Sequence, residues 1–236
     1  MRVIHWNCQC AFRKKNERIL SYDPDILIVA ECESMEKLKF GKLTPEPRSH
    51  LWFGDNLNKG IGIFSYSTDF RLEVMDCYNP EFRYIIPVKV SGPDQDFTLL
   101  AVWAMGNTKY PSKSYIGQVW LALEYYKDLL TGPVVLVGDF NSNKIWDHFP
   151  RVGNHSAVVK KLQDYDIHSL YHLCHNQEQG VEEHPTFYMY RKQEKPYHID
   201  YCFLSGQLIT EDTSLEVGSF EGWCDISDHV PLMVDL

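Results

Sequence analysis

Val134-Val135-Leu136-Val137-Gly138-Asp139-Phe140-Asn141-Ser142-Asn143 is the stretch around which this chain has to be organised. Four consecutive apolar residues, mostly β-branched, read as a short strand covered on both faces. Gly138 frees the backbone at the end of that strand, and Asp139, Asn141, Ser142 and Asn143 follow. A strand end holds a carboxylate and amides rigidly at the lip of a core, where solvent still reaches them. Asp-x-Asn after a strand also forms turns that hydrogen-bond their own backbone. The decapeptide by itself therefore leaves chemistry and turn both open.

The rest of the chain repeats the design. Arg2 to Asn7 reads as a strand, Lys14 to Ser21 as a short helix stopped before Asp23-Pro24, and Asp25 to Glu33 as a second buried run with carboxylates at its end. Leu51 to Phe53 and the glycine-marked Gly60 to Tyr66 extend the pattern. Phe70 to Cys77, Tyr84 to Val90 and Phe97 to Ala104 are separated by Asn79-Pro80 and Ser91-Gly92-Pro93-Asp94, as in antiparallel strands. Ser112 to Leu130 has helical spacing in Ile116, Val119, Trp120 and Leu123 and is stopped by Thr131-Gly132-Pro133. His155 to Tyr165 predicts a second helix, Cys174 to Pro185 a surface loop, Tyr197 to Leu204 a strand, and the segment after Ser227-Asp228-His229 a final strand. Many short strands with two helices among them predict an α/β sandwich of mixed or antiparallel sheets. No linker or long charge run divides residues 1–236, so one domain is expected.

Bulk properties narrow the function. No stretch approaches the roughly 20 apolar residues of a membrane helix, and Met1 to Asn7 enters a strand at once, so no signal peptide or membrane insertion is expected. The seven cysteines are an odd number without a CxxC pair. That argues against zinc and for reduced core residues in a cytoplasmic protein. A net charge of −9 argues against a protein that grips nucleic acid by a generally basic surface. It leaves room for an enzyme whose site is locally positive or carries a bound cation.

Five separated points now bear polar groups at strand ends: Asn7, Glu31, Asp139 with Asn141, Asp200, and Asp228 with His229. Each has an ordinary reading. Glu31 fits a helix-start carboxylate, Asp200 a strand-edge acid, and Asp228-His229 a turn with a satisfied histidine. Four carboxylates, a histidine and two amides, each delivered by a different strand, fit five independent turns poorly.

The order and the local motifs resemble the endonuclease/exonuclease/phosphatase superfamily, the DNase I and exonuclease III type of metal-dependent phosphohydrolase. The matching pieces are Trp6-Asn7, Pro24-Asp25 through Glu31, Gly60-Ile61-Gly62-Ile63, Gly138-Asp139-Phe140-Asn141, His198-Ile199-Asp200-Tyr201 and Ser227-Asp228-His229, and they span the chain. The resemblance implies a DNase I-like four-layer α/β sandwich, two packed mixed or antiparallel sheets flanked by helices, with the site at one end of the sheets. It implies that Glu31 ligates Mg²⁺ or Mn²⁺, with Asn7 close by and Asp228 a further metal-site residue. It also implies that Asp139 orients or deprotonates the attacking water and that Asn141 hydrogen-bonds the phosphate. His229 would stabilise the transition state or handle a proton, its ring fixed by Asp200. Hard oxygen ligands suit Mg²⁺, which keeps several waters, and a carboxylate partner favours the imidazolium beside developing phosphate charge.

Three positions depart from the family pattern. Gln9 stands where many of its nucleases have an acid two residues after the first-strand Asn; it lowers the site's charge or binds through its carbonyl. Trp103 stands where the family offers a phosphate-contacting Tyr or His, a role that Asn107, Lys109 or Tyr110 could take over. Glu33 lies close enough to Glu31 to compete as ligand. For the substrate, nucleic acid comes first. Arg13, Lys14, Lys15 and Arg18 could track a phosphate backbone, or form a solvated helix face. Trp223 could stack on a base, or pack in the core. A small phosphorylated substrate or a lipid headgroup is the alternative, and a catalytically inactive binding module a further one. The protein is expected to be a monomer.

Overall fold

The computed structural model describes residues 1–148 and 152–236. In chain order the strands are β1 (Arg2–Asn7), β2 (Ile26–Cys32), β3 (Ser49–Asn56), β4 (Lys59–Ser65), β5 (Arg71–Val74), β6 (Ile85–Ser91), β7 (Phe97–Trp103) and β8 (Val134–Asp139). They continue with β9 (Ile167–Ser169), β10 (Phe187–Tyr188), β11 (Pro196–Tyr197), β12 (Asp200–Ser205), β13 (Ser214–Val217) and β14 (Leu232–Asp235). The α-helices are short: α1 (Asn16–Leu20), α2 (Met35–Leu38), α3 (Ile116–Tyr125), α4 (His155–Asp164), α5 (Leu170–His175) and α6 (Phe220–Trp223).

Two six-stranded sheets carry the fold, ordered β13-β14-β1-β2-β4-β3 and β5-β6-β7-β8-β12-β9. Each has one parallel pair at its centre, β1 with β2 and β7 with β8, and antiparallel pairs outside it. Parallel neighbours need a crossover, and α1 and α3 lie in those two connections.

Side-chain alternation decides what meets between the sheets. Val3 of β1, Ile26, Ile28 and Ala30 of β2, Val135 and Val137 of β8, and Cys202 and Leu204 of β12 share one inner core. The alternate positions face outward. Ile4, Trp6, Leu27 and Val29 pack with Phe12 and Ile19, while Leu136, Tyr201 and Phe203 pack with Ile116, Val119, Val158 and Leu162 of α3 and α4. Helices, sheet, sheet and helices thus form the four layers expected.

The elements differ from the sequence expectations mainly at their ends. The helix anticipated over Lys14 to Ser21 is confined to α1, and the one over Ser112 to Leu130 to α3, with 3₁₀ turns taking the flanks. Tyr197 to Leu204 breaks at His198-Ile199 into β11 and β12. The loop expected from Cys174 to Pro185 begins only at Asn176, because Cys174 and His175 close α5, a helix with no clear sequence pattern.

Candidate active site

The same alternation that builds the inner core puts polar side chains at its end. Two residues beyond Val3 is His5, and two beyond that is Asn7; two beyond Val137 is Asp139; two before Cys202 is Asp200. Asp200 and Asp139 are cross-strand partners in register. Gly138 permits this ending: its φ is +153°, and a Cβ there would lie 1.9 Å from the Val102 carbonyl oxygen of β7. Only glycine lets β8 approach β7 so closely just before the carboxylate.

Asp139 is 1% exposed. It accepts from Asn7 Nδ2 at 3.0 Å, from the Asn141 backbone N–H at 2.9 Å and from Asn141 Nδ2 at 3.0 Å. Burial, then the charge of Asp200, nevertheless push it up to about 7. Asp200 is buried too, which alone would raise it; the charge of His229 and hydrogen bonds from His229 and His5 outweigh that and hold it well below the usual carboxylate range. His229 Nδ1 lies 2.8 Å from Asp200 Oδ2, and its Nε2 faces Asp139 Oδ2 at 4.0 Å. Burial opposes charge on that imidazole, yet Asp200 and then Asp139 raise it to about 9. The ring is further held by Phe187, with centroids 4.7 Å apart, and its backbone by Ser227 Oγ, which accepts from the His229 N–H at 3.1 Å.

Glu31 stands at the mouth of the same seam. The register of β2 against β4 shifts between Ala30 and Cys32, and Glu31 has φ +60°. Such a bulge re-aims one side chain. The carboxylate is 18% exposed and lies 3.0 Å from Lys59 Nζ, which also sits 5.3 Å above the Trp103 ring. Glu33, by contrast, is 2% exposed and bound by Arg13, so it is not presented as a competing ligand. Gln9 Nε2 donates to Asp228 Oδ2 at 2.8 Å, while its Oε1 is taken by the Arg191 guanidinium. The Gln9 carbonyl is therefore not free to bind through. Burial raises Asp228 above its ordinary value.

The donors on this side, Glu31, Asp228 and Asn7 Oδ1, are all oxygens, which fits the hard-ligand preference of Mg²⁺ or Mn²⁺. Asp139, Asp200 and His229 also offer ligand atoms within 4.8 Å of one another, close enough to share an ion. The proton that His229 holds up to about 9, and its hydrogen bond to Asp200, compete with that use.

Several sequence expectations need correction. Both Asn141 amide hydrogens are spent, on Asp139 and on the Ala104 carbonyl at 3.0 Å, so Asn141 holds Asp139 rather than offering a donor to phosphate. Trp103 is 2% exposed, stacked on Tyr84 at 4.7 Å between centroids, and cannot contact substrate through a free ring. Asn107 caps its own loop, its Oδ1 accepting from the N–H groups of Lys109 and Tyr110; Lys109 Nζ rests over Tyr110. Trp223 is 2% exposed and packs against Trp6 at 5.2 Å, leaving no face for a base. Three of the four basic residues are used internally: Arg13 binds Glu33, Lys15 Nζ donates to the Cys8 carbonyl at 2.6 Å, and Arg18 pairs with Asp225, while Lys14 is exposed. His5, Lys59 and Arg191 were not anticipated. Only His5 carried a readable mark, sharing the face of Asn7 by strand alternation.

A two-sheet sandwich with carboxylates, an imidazole and amides converging at the end of its seam is the architecture of a phosphate-ester hydrolase. The sequence model of the Endonuclease/Exonuclease/phosphatase family matches residues 4–229, and the chain belongs to that family. Its members are hydrolases of phosphate ester bonds and are in general dependent on a divalent metal, which makes this chain a phosphoesterase. Among curated proteins no match is found. Among solved structures, the endonuclease domain of TRAS1, a telomere-specific non-LTR retrotransposon, is similar at 16% identity and TM-score 0.67, covering 99% of this chain and 96% of that one. The 3′-5′ exonuclease NExo from Neisseria meningitidis gives 18% identity and TM-score 0.67, covering 100% and 99%. A Neisseria NExo structure described as a 3′ phosphatase bound to product DNA hairpin gives 20% and 0.66, with 100% and 99% covered. At these identities the likeness shows the fold. No helix among the described residues is long and apolar enough to cross a membrane.

Proposed function

We propose that this chain is a divalent-metal-dependent phosphodiesterase acting on nucleic acid, with DNA the first candidate. The observation that carries the reading is the Asp200–His229–Asp139 array, an imidazolium held between two carboxylates at the seam's end, with Glu31 beside it. Asp139, held by Asn7 and Asn141, is raised to about 7 and so can accept a proton from an attacking water near neutral pH. His229 presents its Nε2 side to the charge that develops on the phosphate oxygens, and Asp200 keeps it protonated. Glu31, with Asn7 Oδ1 and Asp228, would hold Mg²⁺ or Mn²⁺, which supplies Lewis acidity at the phosphoryl oxygen. Relatives of the same fold described as an exonuclease, an endonuclease domain and a 3′ phosphatase bound to DNA support the substrate class. The unpaired cysteines fit a reducing, cytoplasmic setting, and the whole chain acts as a single domain.

A second reading, a small phosphorylated substrate, is favoured by one specific feature. Arg13, Arg18 and Lys15 of the first loop are bound to Glu33, Asp225 and backbone carbonyls rather than offered as a row for a phosphate backbone. The test is incubation with plasmid, single-stranded DNA, abasic duplex and RNA, with and without Mn²⁺, beside a panel of phosphomonoesters and diesters. Metal-dependent cleavage of a nucleic acid, lost by about 10²–10⁴-fold in Asp139→Asn, is the expected result. Turnover of the small panel alone overturns the nuclease reading.

A further inference from the structure

His5 is buried to 0% exposure between the sheets, in the strand that also presents Val3 to the inner core. Its Nδ1 has no hydrogen-bond partner among the described residues. Leaving a buried polar atom unsatisfied is destabilising, and an apolar residue would fill the position without that cost. A local rule broken in this way calls for a gain elsewhere. The other ring nitrogen shows where it lies: His5 Nε2 is 2.9 Å from Asp200 Oδ1, across the seam from one sheet to the other.

Among the described residues the Asp200 carboxylate has two partners, His5 on Oδ1 and His229 on Oδ2 at 2.8 Å. Thr186 Oγ1 accepts from the Asp200 backbone N–H and leaves the carboxylate untouched. The aspartate χ2 torsion has a broad, roughly two-fold profile, so one bond to His229 does not fix the plane of the group. A second donor on the opposite oxygen does. Asp200 is ionised and can only accept, so His5 Nε2 bears the hydrogen.

We propose that His5 is a positioning residue for the phosphoesterase reaction: by clasping Oδ1 it sets the Asp200 carboxylate so that Oδ2 aligns the His229 ring on Asp139. The proposal rests on the function proposed above for the activity half of its test only. His5 touches neither substrate nor metal in this scheme, and its effect is exerted through Asp200 alone.

The test uses the full chain with Mn²⁺ and the best substrate from the panel. His5→Phe keeps a ring and removes the donor; His5→Gln keeps an N–H near the place of Nε2. Outer-shell partners of this kind are worth roughly 10–100-fold. The expected result is a kcat lowered by that factor in His5→Phe with KM little changed, and recovered by at least about ten-fold in His5→Gln. In an Asp200→Asn background, His5→Phe should add no further loss. Proton NMR of the substrate-free protein should show a downfield His229 Nδ1–H resonance that is lost in His5→Phe and kept in His5→Gln. If His5→Phe does not fold, His5→Met replaces it. Retention of both kcat and the downfield proton in the donor-less variant overturns the proposal, and so does an equal loss in both variants with a falling melting temperature. Absence of turnover in the wild type overturns the functional reading instead, while the NMR arm still decides the role of His5.

Discussion

Replacing Asp200 by Asn removes one charge from the buried array while keeping its shape, and its consequence can be worked from the geometry. His229 is raised from 6.5 to about 9, and Asp200 at 2.8 Å is the main cause opposing burial. At 1.36 kcal/mol per pKa unit, that preference for the imidazolium is about 3 kcal/mol. In Asp200→Asn the histidine should fall back toward 6.5, burial pulling it down while the charges of Asp139 and Asp228 still hold it up. At pH 8 about nine-tenths of the wild-type His229 is protonated, and about one-thirtieth would be in the variant. The direct loss is therefore roughly thirty-fold at that pH, before any loss of ring alignment. The assay is the pH dependence of kcat/KM. In the wild type it should rise as Asp139 ionises through about 7 and fall as His229 deprotonates through about 9. In the variant the alkaline limb should move below about 7. Stability carries the same sign: a folded value above the unfolded one gives stabilisation that is fully present below 6.5 and lost as pH rises through about 9. The difference in urea midpoint between pH 6 and pH 10 should thus shrink in Asp200→Asn. An alkaline limb that stays near 9 in the variant would refute the assignment of His229 as the required cation.

Other perturbations address the remaining parts of the site. Glu31→Gln should weaken Mn²⁺ binding by at least roughly ten-fold in calorimetry, leaving the His229 resonance in place; unchanged affinity would move the metal away from Glu31. Gly138→Ala would place a Cβ 1.9 Å from the Val102 carbonyl oxygen, a backbone clash that no rotamer relieves. A loss above about 3 kcal/mol, or at least about 6 °C in melting temperature, is expected, and a shift within experimental scatter would contradict the close approach of β7 and β8. Ala11 has φ +54° and ψ +39°, a conformation costing an L-residue about 1–2 kcal/mol. Ala11→Gly should therefore gain up to about 1 kcal/mol net of glycine's extra entropy, read as a higher denaturant midpoint. A lower midpoint would mean that Ala11 is not strained.

How far the sequence disclosed this arrangement depends on the range of the interaction. The run before Asp139 announced β8, its burial and its end, because a covered strand needs a continuous apolar run and the glycine marks where it stops. The same logic found Asn7, Glu31 and Asp200. It could not separate a stacking aromatic from a packed one: Trp103 and Trp223 adjoin apolar strands as a substrate platform would, and what buries them are Tyr84, Trp6 and Tyr22 from other segments. It also left the basic run open for want of partners, since Glu33 lies 20 residues from Arg13 and Asp225 lies 207 from Arg18. His5 escaped because alternation gives its face but not which face looks across the seam.

The backbone around the site was the least legible part, and it explains why so many ties converge there. Gln9, Cys10, Ala11, Glu31, Asn141, Tyr190 and Arg191 all have positive φ, and only Asn141 is of a type that favours that region. Strain of this kind costs on the order of 1 kcal/mol or more at each position and persists only where the surroundings over-determine it. The surroundings are identifiable. Lys15 Nζ binds the carbonyls of Cys8 and Gln9, Asn7 Oδ1 accepts from the Gln9 N–H, and Arg191 binds Gln9 Oε1 with the carbonyls of Asp225 and Ile226. Arg13, Lys15 and Arg18, which could have followed a phosphate backbone, instead brace the loops that present Glu31, Gln9 and Asp228. The rigid sheets fix Asp139 and Asp200 by register, whereas the Glu31 side depends on long side chains holding strained turns. Loss of a brace such as Lys15 or Arg191 should therefore disturb the Glu31 side before the Asp139–His229 side.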